Sequence, residues 1–276
     1  MINRYIIGAV ALATALTAAT ASGFAHDEAK YPDLKGSWIR ADRGQTMPWD
    51  PSKPPGRGQG APLTPEYQAA YEAALVRQAA GVNLASCLPP GMPRSMIVSE
   101  PMEIIVMPDT TYLMLTYMSE FRRIYTDGRK FSDDIEPAFS GFSIGTWEDT
   151  DGDGRFDTLV VETRGLKGPR TFDDSGIPLH KDNLTVIKER IYLDKTDPNL
   201  IHNEITTVDN ALTRPWTVTR SYRRDRNLEW AEHICADNNQ YVTLGEEVYS
   251  ISGDGYLSPT RKDQPPPDMR YFTPSR

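Results

Sequence analysis

The sequence lacks the short motifs by which several enzyme classes are recognised. It has no C-x-x-C pair, no H-E-x-x-H, no paired His-x-His and no phosphate-cradling glycine loop. Histidine is scarce, and the four in the chain are His26, His180, His202 and His233. A zinc site therefore has no support from a local motif.

Long apolar runs are missing beyond the first 25 residues, so no later segment is expected to span a bilayer. Arg4 makes the N-terminus positive, and an alanine-rich apolar run follows from Tyr5 to Thr20. Small residues that suit a signal peptidase follow the run up to Ala25. Residues 1–25 therefore predict a signal peptide cleaved before His26 and a periplasmic or secreted protein. A retained N-terminal anchor is the alternative.

An excess of basic charge is also missing. The formal net charge is -8, and removal of residues 1–25 takes away Arg4 and no acidic residue, which leaves -9. An acidic exported chain is a poor candidate for binding nucleic acid or an anionic membrane. Residues 26–276 are numerous enough for one domain with a sizeable core.

The two cysteines, Cys87 and Cys235, would meet an oxidising compartment after export. A pair in such a compartment usually forms a disulfide. Closing a loop of this length stabilises a fold by about 4–5 kcal/mol in the chain-entropy model. The sequence therefore predicts a Cys87–Cys235 disulfide, with two separate buried thiols as the alternative.

Proline and helix signals organise the N-terminal part. Residues 47–63 are rich in proline and glycine and are interpreted as an extended surface loop. A helix is predicted over residues 64–81, because Thr64 suits the N-cap, Pro65 suits the first helical position and Gly81 can end the helix. The proline-rich tail, residues 263–276, is interpreted as a surface strap.

From Met102 onward the sequence pattern predicts a series of β-strands separated by turns. One further strand is predicted before Met102, over residues 36–41. The expected strands cover residues 36–41, 102–107, 112–125, 143–148, 158–164, 184–193, 200–208, 216–223 and 228–235. Strands do not alternate with helices. The pattern predicts a mainly β, antiparallel meander, closed as an up-and-down barrel or folded as a sandwich.

The sharpest motif is an aspartate-rich loop between two predicted strands. Calcium prefers six to eight oxygen ligands, and Gly154 permits the turn that such a loop needs. The glutamate that completes an EF-hand is absent, since Val160 stands at that position. The loop predicts a structural calcium site, with an unliganded turn as the alternative. The predicted ligands are Asp149, Asp151, Asp153, the Arg155 carbonyl and Asp157.

Strand alternation offers weaker clues about chemistry. If residues 112–125 form one strand, Arg123 and Tyr125 share a face with Leu113, and Arg123 points inward. The same reasoning turns Glu189 inward beside Ile187. A pair between Arg123 and Glu189 would be a buried structural bridge, or it would orient a ligand or shift a pKa for proton transfer.

His180 lies in a loop, residues 176–182, where the mouth of a barrel is expected. A lone loop histidine is often only a surface residue. If the protein is an enzyme, the candidate catalytic residues are His180, Arg123, Glu189 and Tyr125.

Six segments spread over residues 87–235 carry a resemblance to a known group. They are residues 87–94, 122–129, 141–148, 157–163, 189–190 and 214–216. In these segments the chain resembles uncharacterised exported proteobacterial proteins with a lipocalin-like (calycin-type) β-barrel. The resemblance implies that fold and export, and it brings no activity. In that group Glu148 is followed at once by the strand that begins here at Asp157, so the aspartate loop is a departure.

Three functions are compatible with these features. The leading hypothesis is a barrel that binds a small, partly apolar organic molecule in its interior, which predicts a mostly apolar cavity. The second is a cofactor-free lyase, isomerase or hydrolase with histidine and carboxylate acid–base chemistry, which predicts that the four candidate catalytic residues converge. The third is an envelope interaction protein, which predicts a filled barrel and an exposed apolar patch.

Overall fold

A computed structural model describes residues 27–41, 61–79, 89–97, 100–168, 180–228, 230–231, 241–251 and 255–267. The predicted signal peptide, both cysteines, His26 and His233 lie outside these residues, as do most of the proline-rich loop and residues 268–276 of the tail. None of the helices within the described ranges is long and apolar enough to cross a membrane.

Nine strands form a closed barrel in which each strand pairs with its neighbours in sequence, and the first pairs with the last. They are β1 (Ser37–Arg40), β2 (Met102–Val106), β3 (Thr110–Leu115), β4 (Phe121–Tyr125), β5 (Phe142–Glu148), β6 (Thr158–Arg164), β7 (Val186–Leu193), β8 (Leu200–Val208) and β9 (Trp216–Asp225). Alternate residues of the long strands are buried, as a two-residue period requires.

One junction of the barrel is parallel. β4 pairs with β5 in parallel, whereas every other neighbouring pair is antiparallel. Strand direction must return to its starting sense around a closed ring, so the number of antiparallel junctions must be even. Nine strands therefore need a parallel junction, and residues 126–141 run back along the barrel to make it. The expectation of an all-antiparallel up-and-down barrel is wrong at this junction, and the closed, mostly antiparallel barrel is confirmed.

The segment predicted as one strand over residues 112–125 is two strands. A turn of 3-10 helix, Tyr117–Ser119, separates β3 from β4, and Met118 and Ser119 have φ values of 56° and 50°. Positive φ is uncommon for residues other than glycine and cannot continue a strand. The turn shifts the alternation of inward and outward side chains between β3 and β4.

The C-terminal part differs from the expected pattern as well. Residues 228, 230 and 231 of the predicted strand 228–235 are not in a strand, and the rest of that segment lies outside the described residues. A separate three-stranded sheet, which the sequence pattern did not predict, is formed by β10 (Tyr241–Leu244), β11 (Glu247–Ile251) and β12 (Leu257–Pro259).

The predicted helix is confirmed as α1 (Pro65–Ala79). Its N-terminus is fixed to the turn between β8 and β9, because the Thr64 backbone N–H donates to the Ala211 carbonyl at 2.9 Å and Leu63 forms a β-bridge with Leu212. We call this end of the barrel the helix end. The opposite end, which carries the β5–β6 loop and the β7–β8 turn, is the loop end.

Buried segments outside the strands close both ends of the core. Met92 and Met96 are each 1% exposed and belong to the core, and the Tyr222 hydroxyl donates to the Met96 carbonyl at 2.6 Å. At the loop end, the indole N–H of Trp38 donates to the Leu34 carbonyl at 2.9 Å. The core therefore continues beyond the strands at both ends.

Substitution of Gly141 would test how tightly the parallel junction between β4 and β5 is packed. It has a φ of 62°, and a Cβ there would lie 2.6 Å from the Arg164 carbonyl oxygen, whereas Gly128 has a φ of 79° and nothing within 4 Å. Gly128→Ala should therefore cost only about 1–2 kcal/mol of backbone strain. Gly141→Ala should lower the free energy of unfolding by about 1–3 kcal/mol more, measured by urea denaturation. Equal losses would mean that the junction relaxes without cost.

Candidate functional site

A buried ion pair crosses the barrel interior between β4 and β7. The Arg122 guanidinium donates from Nη1 to Glu189 Oε1 at 3.0 Å and from Nη2 to Glu189 Oε2. The side chains of Arg122 and Glu189 are 2% and 0% exposed. This is the bidentate geometry that a buried arginine–carboxylate pair requires to offset its loss of hydration.

Three polar side chains from the intervening and following strands complete this network. Arg122 Nε donates to Ser143 Oγ at 3.1 Å, and Nη2 donates to Thr163 Oγ1 at 2.8 Å. The Asn203 amide donates to Glu189 Oε1 at 2.9 Å. The network therefore fixes β4, β5, β6, β7 and β8 relative to one another across the barrel.

The prediction that Arg123 points inward is wrong. Arg123 lies on the outer face of β4, where its guanidinium is within 3.5 Å of the Tyr125 hydroxyl and 5.4 Å from the centroid of the Tyr112 ring. Its neighbour Arg122 takes the inward position, because the turn at Met118 shifts the alternation by one residue. The inward position of Glu189 is confirmed.

Tyr125 is the last residue of β4. Its ring stacks on Phe142 with the centroids 5.1 Å apart, and the Arg129 guanidinium lies 3.6 Å from the centroid of the Tyr125 ring. These contacts place Tyr125 in an aromatic and cationic surface cluster.

His180 lies at the helix end, next to α1 and the turn between β8 and β9. Its backbone N–H donates to both carboxylate oxygens of Asp209, at 3.2 and 3.0 Å. Its Nδ1 is 3.1 Å from the Asp182 carboxylate, and its ring lies 5.3 Å from the Tyr67 ring of α1. Burial raises the pKa of Tyr67, and the carboxylates of Asp182 and Asp209 add to that rise, so the phenol stays protonated.

The four candidate catalytic residues do not converge. Glu189 is committed to Arg122 in the interior, Arg123 and Tyr125 meet on the outer face, and His180 is held at the helix end. Acid–base chemistry shared by all four is therefore not supported by their positions.

The aspartate loop joins β5 to β6 at the loop end, and the Asp157 backbone N–H closes it by donating to the Glu148 carbonyl at 2.9 Å. One carboxylate oxygen from each of Asp149, Asp151 and Asp153 lies within 4.8 Å of the other two. The backbone N–H groups of Gly152 and Gly154 hold the Asp149 carboxylate, at 2.7 and 2.8 Å. Three exposed carboxylates are thus gathered in a group that suits a hard cation.

Asp157 is not part of this group of three. Its Oδ2 accepts from Thr150 at 2.9 and 2.7 Å, and its Oδ1 accepts from Thr158 Oγ1 at 2.6 Å. Partial burial opposes ionisation of the Asp157 carboxyl, but the hydrogen bonds from Thr158 and Thr150 outweigh it and lower its pKa. Asp157 therefore braces the loop, and its predicted role as a ligand, like that of the Arg155 carbonyl, stays a prediction.

A cleft of about 600 Å³ lies on the outer surface between the aspartate loop and the β7–β8 turn. Its walls combine apolar, cationic and acidic groups, among them Phe156, Tyr192, Leu193, Arg190, Lys195 and Glu204. The Tyr192 hydroxyl donates to Glu204 at 2.9 Å. Burial raises the pKa of Tyr192, and the Glu204 carboxylate raises it further. Sequence reasoning missed this cleft, because its walls come from strands and turns that only the barrel brings together.

An apolar patch lies on the far side of the barrel, on the outer face of β2, β3 and β4. Ile105, Met107, Met114 and Phe121 are all exposed there, and Phe121 is 61% exposed. Met114 and Phe121 are direct cross-strand neighbours. A surface of this kind is expected of an interaction protein.

No protein-family model matches the chain, and no curated protein is similar to it in sequence. The fold alone does not imply an activity, since one architecture supports many functions. Function must therefore be argued from the surfaces of this molecule.

Replacement of Arg122 tests the buried network. Arg122→Met leaves the Glu189 charge buried without its partner and should lower the free energy of unfolding by about 3–5 kcal/mol in urea denaturation. Arg123→Met, the adjacent exposed residue, should change it by no more than about 0.5 kcal/mol. A double variant, Arg122→Met with Glu189→Leu, should recover part of the loss. Equal effects of the two single variants would contradict the assignment.

Proposed function

We propose that this chain is an exported binding protein that takes a small, partly apolar organic ligand and holds a calcium ion at its aspartate loop. The observation that carries the proposal is the cleft beside the three converging carboxylates. Both features lie at the loop end, so the metal would stabilise one wall of the ligand site.

The charge of the loop supports a cation. Asp149, Asp151 and Asp153 repel one another at these separations, and their contacts with backbone N–H groups within the loop neutralise no charge. Calcium relieves that repulsion and accepts irregular oxygen geometry more readily than magnesium does. An exposed extracellular-type site of this kind binds calcium at about 10⁻⁴–10⁻³ M.

The composition of the cleft supports a ligand with an apolar body and a polar or anionic group. Phe156, Tyr192 and Leu193 offer apolar surface, and Arg190 and Lys195 offer positive charge. The interior was the site expected from the sequence, but the network of Arg122 and Glu189 runs through it. We therefore place the ligand in the outer cleft.

The proposal also includes export of the chain and its kinship with a group of β-barrel proteins. The signal peptide over residues 1–25 and the Cys87–Cys235 disulfide are part of it, as is kinship with the lipocalin-like group that the sequence resembles. A ninth strand and the parallel β4–β5 junction separate this barrel from an all-antiparallel up-and-down barrel.

Calcium should raise the thermal stability of the protein. A ligand at about 100 times its dissociation constant adds about 2.7 kcal/mol to stability, so the melting temperature in excess calcium should exceed that in EDTA. Asp151→Ala should abolish the rise because it removes one charged ligand. Asp133→Ala, an exposed acid outside the loop, should keep it, and magnesium should give a smaller rise. An equal response in both variants, or none in the wild type, would show that the loop is only a turn.

Anilinonaphthalene sulfonate, an aromatic anion, is a suitable probe of the cleft. Tyr192→Ala should weaken its binding about tenfold in fluorescence titration, because loss of aromatic surface removes about 1.5–3 kcal/mol of burial. Phe121→Ala, in the apolar patch on the far side, should leave the affinity unchanged. If Phe121→Ala weakens binding and Tyr192→Ala does not, the probe occupies the apolar patch. That result would favour an interaction protein over a protein that binds a ligand in the cleft.

A further inference from the structure

A serine, a histidine and an aspartate are joined by hydrogen bonds on the outer face of the barrel. His202 of β8 lies directly opposite Ser221 of β9, and its Nδ1 is 2.9 Å from Ser221 Oγ. Its Nε2 is 3.0 Å from Oδ2 of Asp194, the first residue of the β7–β8 turn. Both ring nitrogens of one imidazole are therefore engaged, one by a hydroxyl and one by a carboxylate.

The carboxylate decides where the protons lie. Hydrogen bonds from Thr196 and from His202 hold the pKa of the Asp194 carboxyl well below its usual range, so Asp194 is ionised and can only accept. Nε2 of the neutral imidazole must then carry the proton, which leaves the lone pair on Nδ1. The Ser221 hydroxyl consequently donates to Nδ1. This is the proton arrangement in which a histidine acts as a general base toward a serine nucleophile.

The aspartate is held in place independently of the histidine. Its Oδ1 accepts from Thr196 N at 2.8 Å, from Thr196 Oγ1 at 2.6 Å and from Asp197 N at 3.0 Å. Oδ2 is thereby directed to the imidazole. The side chains of His202 and Asp194 are 20% and 28% exposed, so reagents in solvent can reach the group.

We propose that Ser221, His202 and Asp194 form a nucleophilic site that cleaves small carboxylic esters. Ser221 and His202 act on the reacting atoms, and Asp194 is a positioning residue that fixes the imidazole tautomer. The three residues come from two neighbouring strands and one turn, so no contiguous sequence motif contains all of them.

The reaction that this arrangement supports is acyl transfer in two steps. Ser221 Oγ bonds to the ester carbonyl carbon while its proton moves to His202 Nδ1. The bond from that carbon to the leaving oxygen then breaks, and the Nδ1 proton passes to the departing alcohol. Water attacks the acyl group in the same way, which releases a carboxylic acid and restores the Ser221 hydroxyl. No oxidant, reductant or further reactant is required.

Two neighbouring features indicate which esters fit. Asp194 lines the outer cleft, and the Tyr192 ring, also in its wall, lies 5.5 Å from the His202 ring, so an apolar or aromatic acyl group has a surface to pack on. Arg223 lies two residues beyond Ser221 on the same face of β9, and its guanidinium is paired with the Asp197 carboxylate at 2.9 Å, so its charge is already neutralised beside the reacting group. The backbone N–H groups of the flanking strands are used by the sheet, so we expect slow turnover and clear covalent labelling.

The test is labelling with diisopropyl fluorophosphate, followed by mass spectrometry of the digested protein. The wild type should carry the phosphoryl adduct on Ser221. His202→Gln should lower the labelling rate by at least about 100-fold, the usual contribution of a general base. Asp194→Asn should lower it at least about tenfold. The ¹⁵N shifts of His202 should report a proton on Nε2 in the wild type and a mixture of tautomers in Asp194→Ala.

Thr217→Ala is the matched control, because Thr217 and Thr206 form a cross-strand hydroxyl pair on the same face without an imidazole. It should label like the wild type.

Labelling should also be the same in EDTA and in calcium, so that failure of the calcium proposal and failure of this one are distinguishable. Absence of an adduct on Ser221, or equal rates in the wild type and a folded His202→Gln variant, would overturn the proposal and leave the group as a cross-strand brace. If His202→Gln does not fold, absence of the wild-type adduct still overturns it.

Discussion

The ion pair between Arg122 and Glu189 is the constraint on which the barrel depends. Each charge has lost nearly all of its contact with water, and removal of either partner would leave the other buried and uncompensated. The pair forms only if β4 and β7 meet in one register, with Ser143 and Thr163 placed between them. A slip of one residue in any of these strands would turn a polar ligand of the network out to solvent. The network therefore selects one register for half of the ring.

Local signals in the sequence were sufficient to predict those features of the structure that depend on neighbouring residues alone. The cap at Thr64 and Pro65 located α1, and the alternation within β7 placed Glu189 inside. The failure at Arg123 has a specific cause. Met118 and Ser119 adopt positive φ without a glycine to signal it, so the alternation counted from Leu113 reached the wrong residue. The polar network was thus predicted with the right type of pair but with the neighbouring arginine.

The way in which the ring closes could not be predicted from local patterns. A nine-stranded barrel requires a parallel junction, and nothing in β4 or β5 alone shows that they run side by side. The chain between them makes a bridge from Ala138 to Leu166 and bends at Gly141, where a side chain would strike the Arg164 carbonyl. These are long-range contacts that exist only once β6 is in place. The outer cleft could not be predicted for the same reason, because its walls come from two turns that are distant in sequence.

Rigidity in the interior explains why the candidate chemistry lies outside. A core crossed by a satisfied ion pair is costly to rearrange around a ligand, because any opening would expose charges or leave polar atoms unpaired. The turns at the loop end bear no such cost. Because β6 pairs with β7, the barrel sets the aspartate loop beside the turn that begins at Asp194. It also sets that turn against His202 on the adjoining strand. A rigid scaffold that positions polar loops at one rim is a common way to build a binding or reactive site. The buried charges of Arg122 and Glu189 thus determine, through strand register, which side chains meet on the surface.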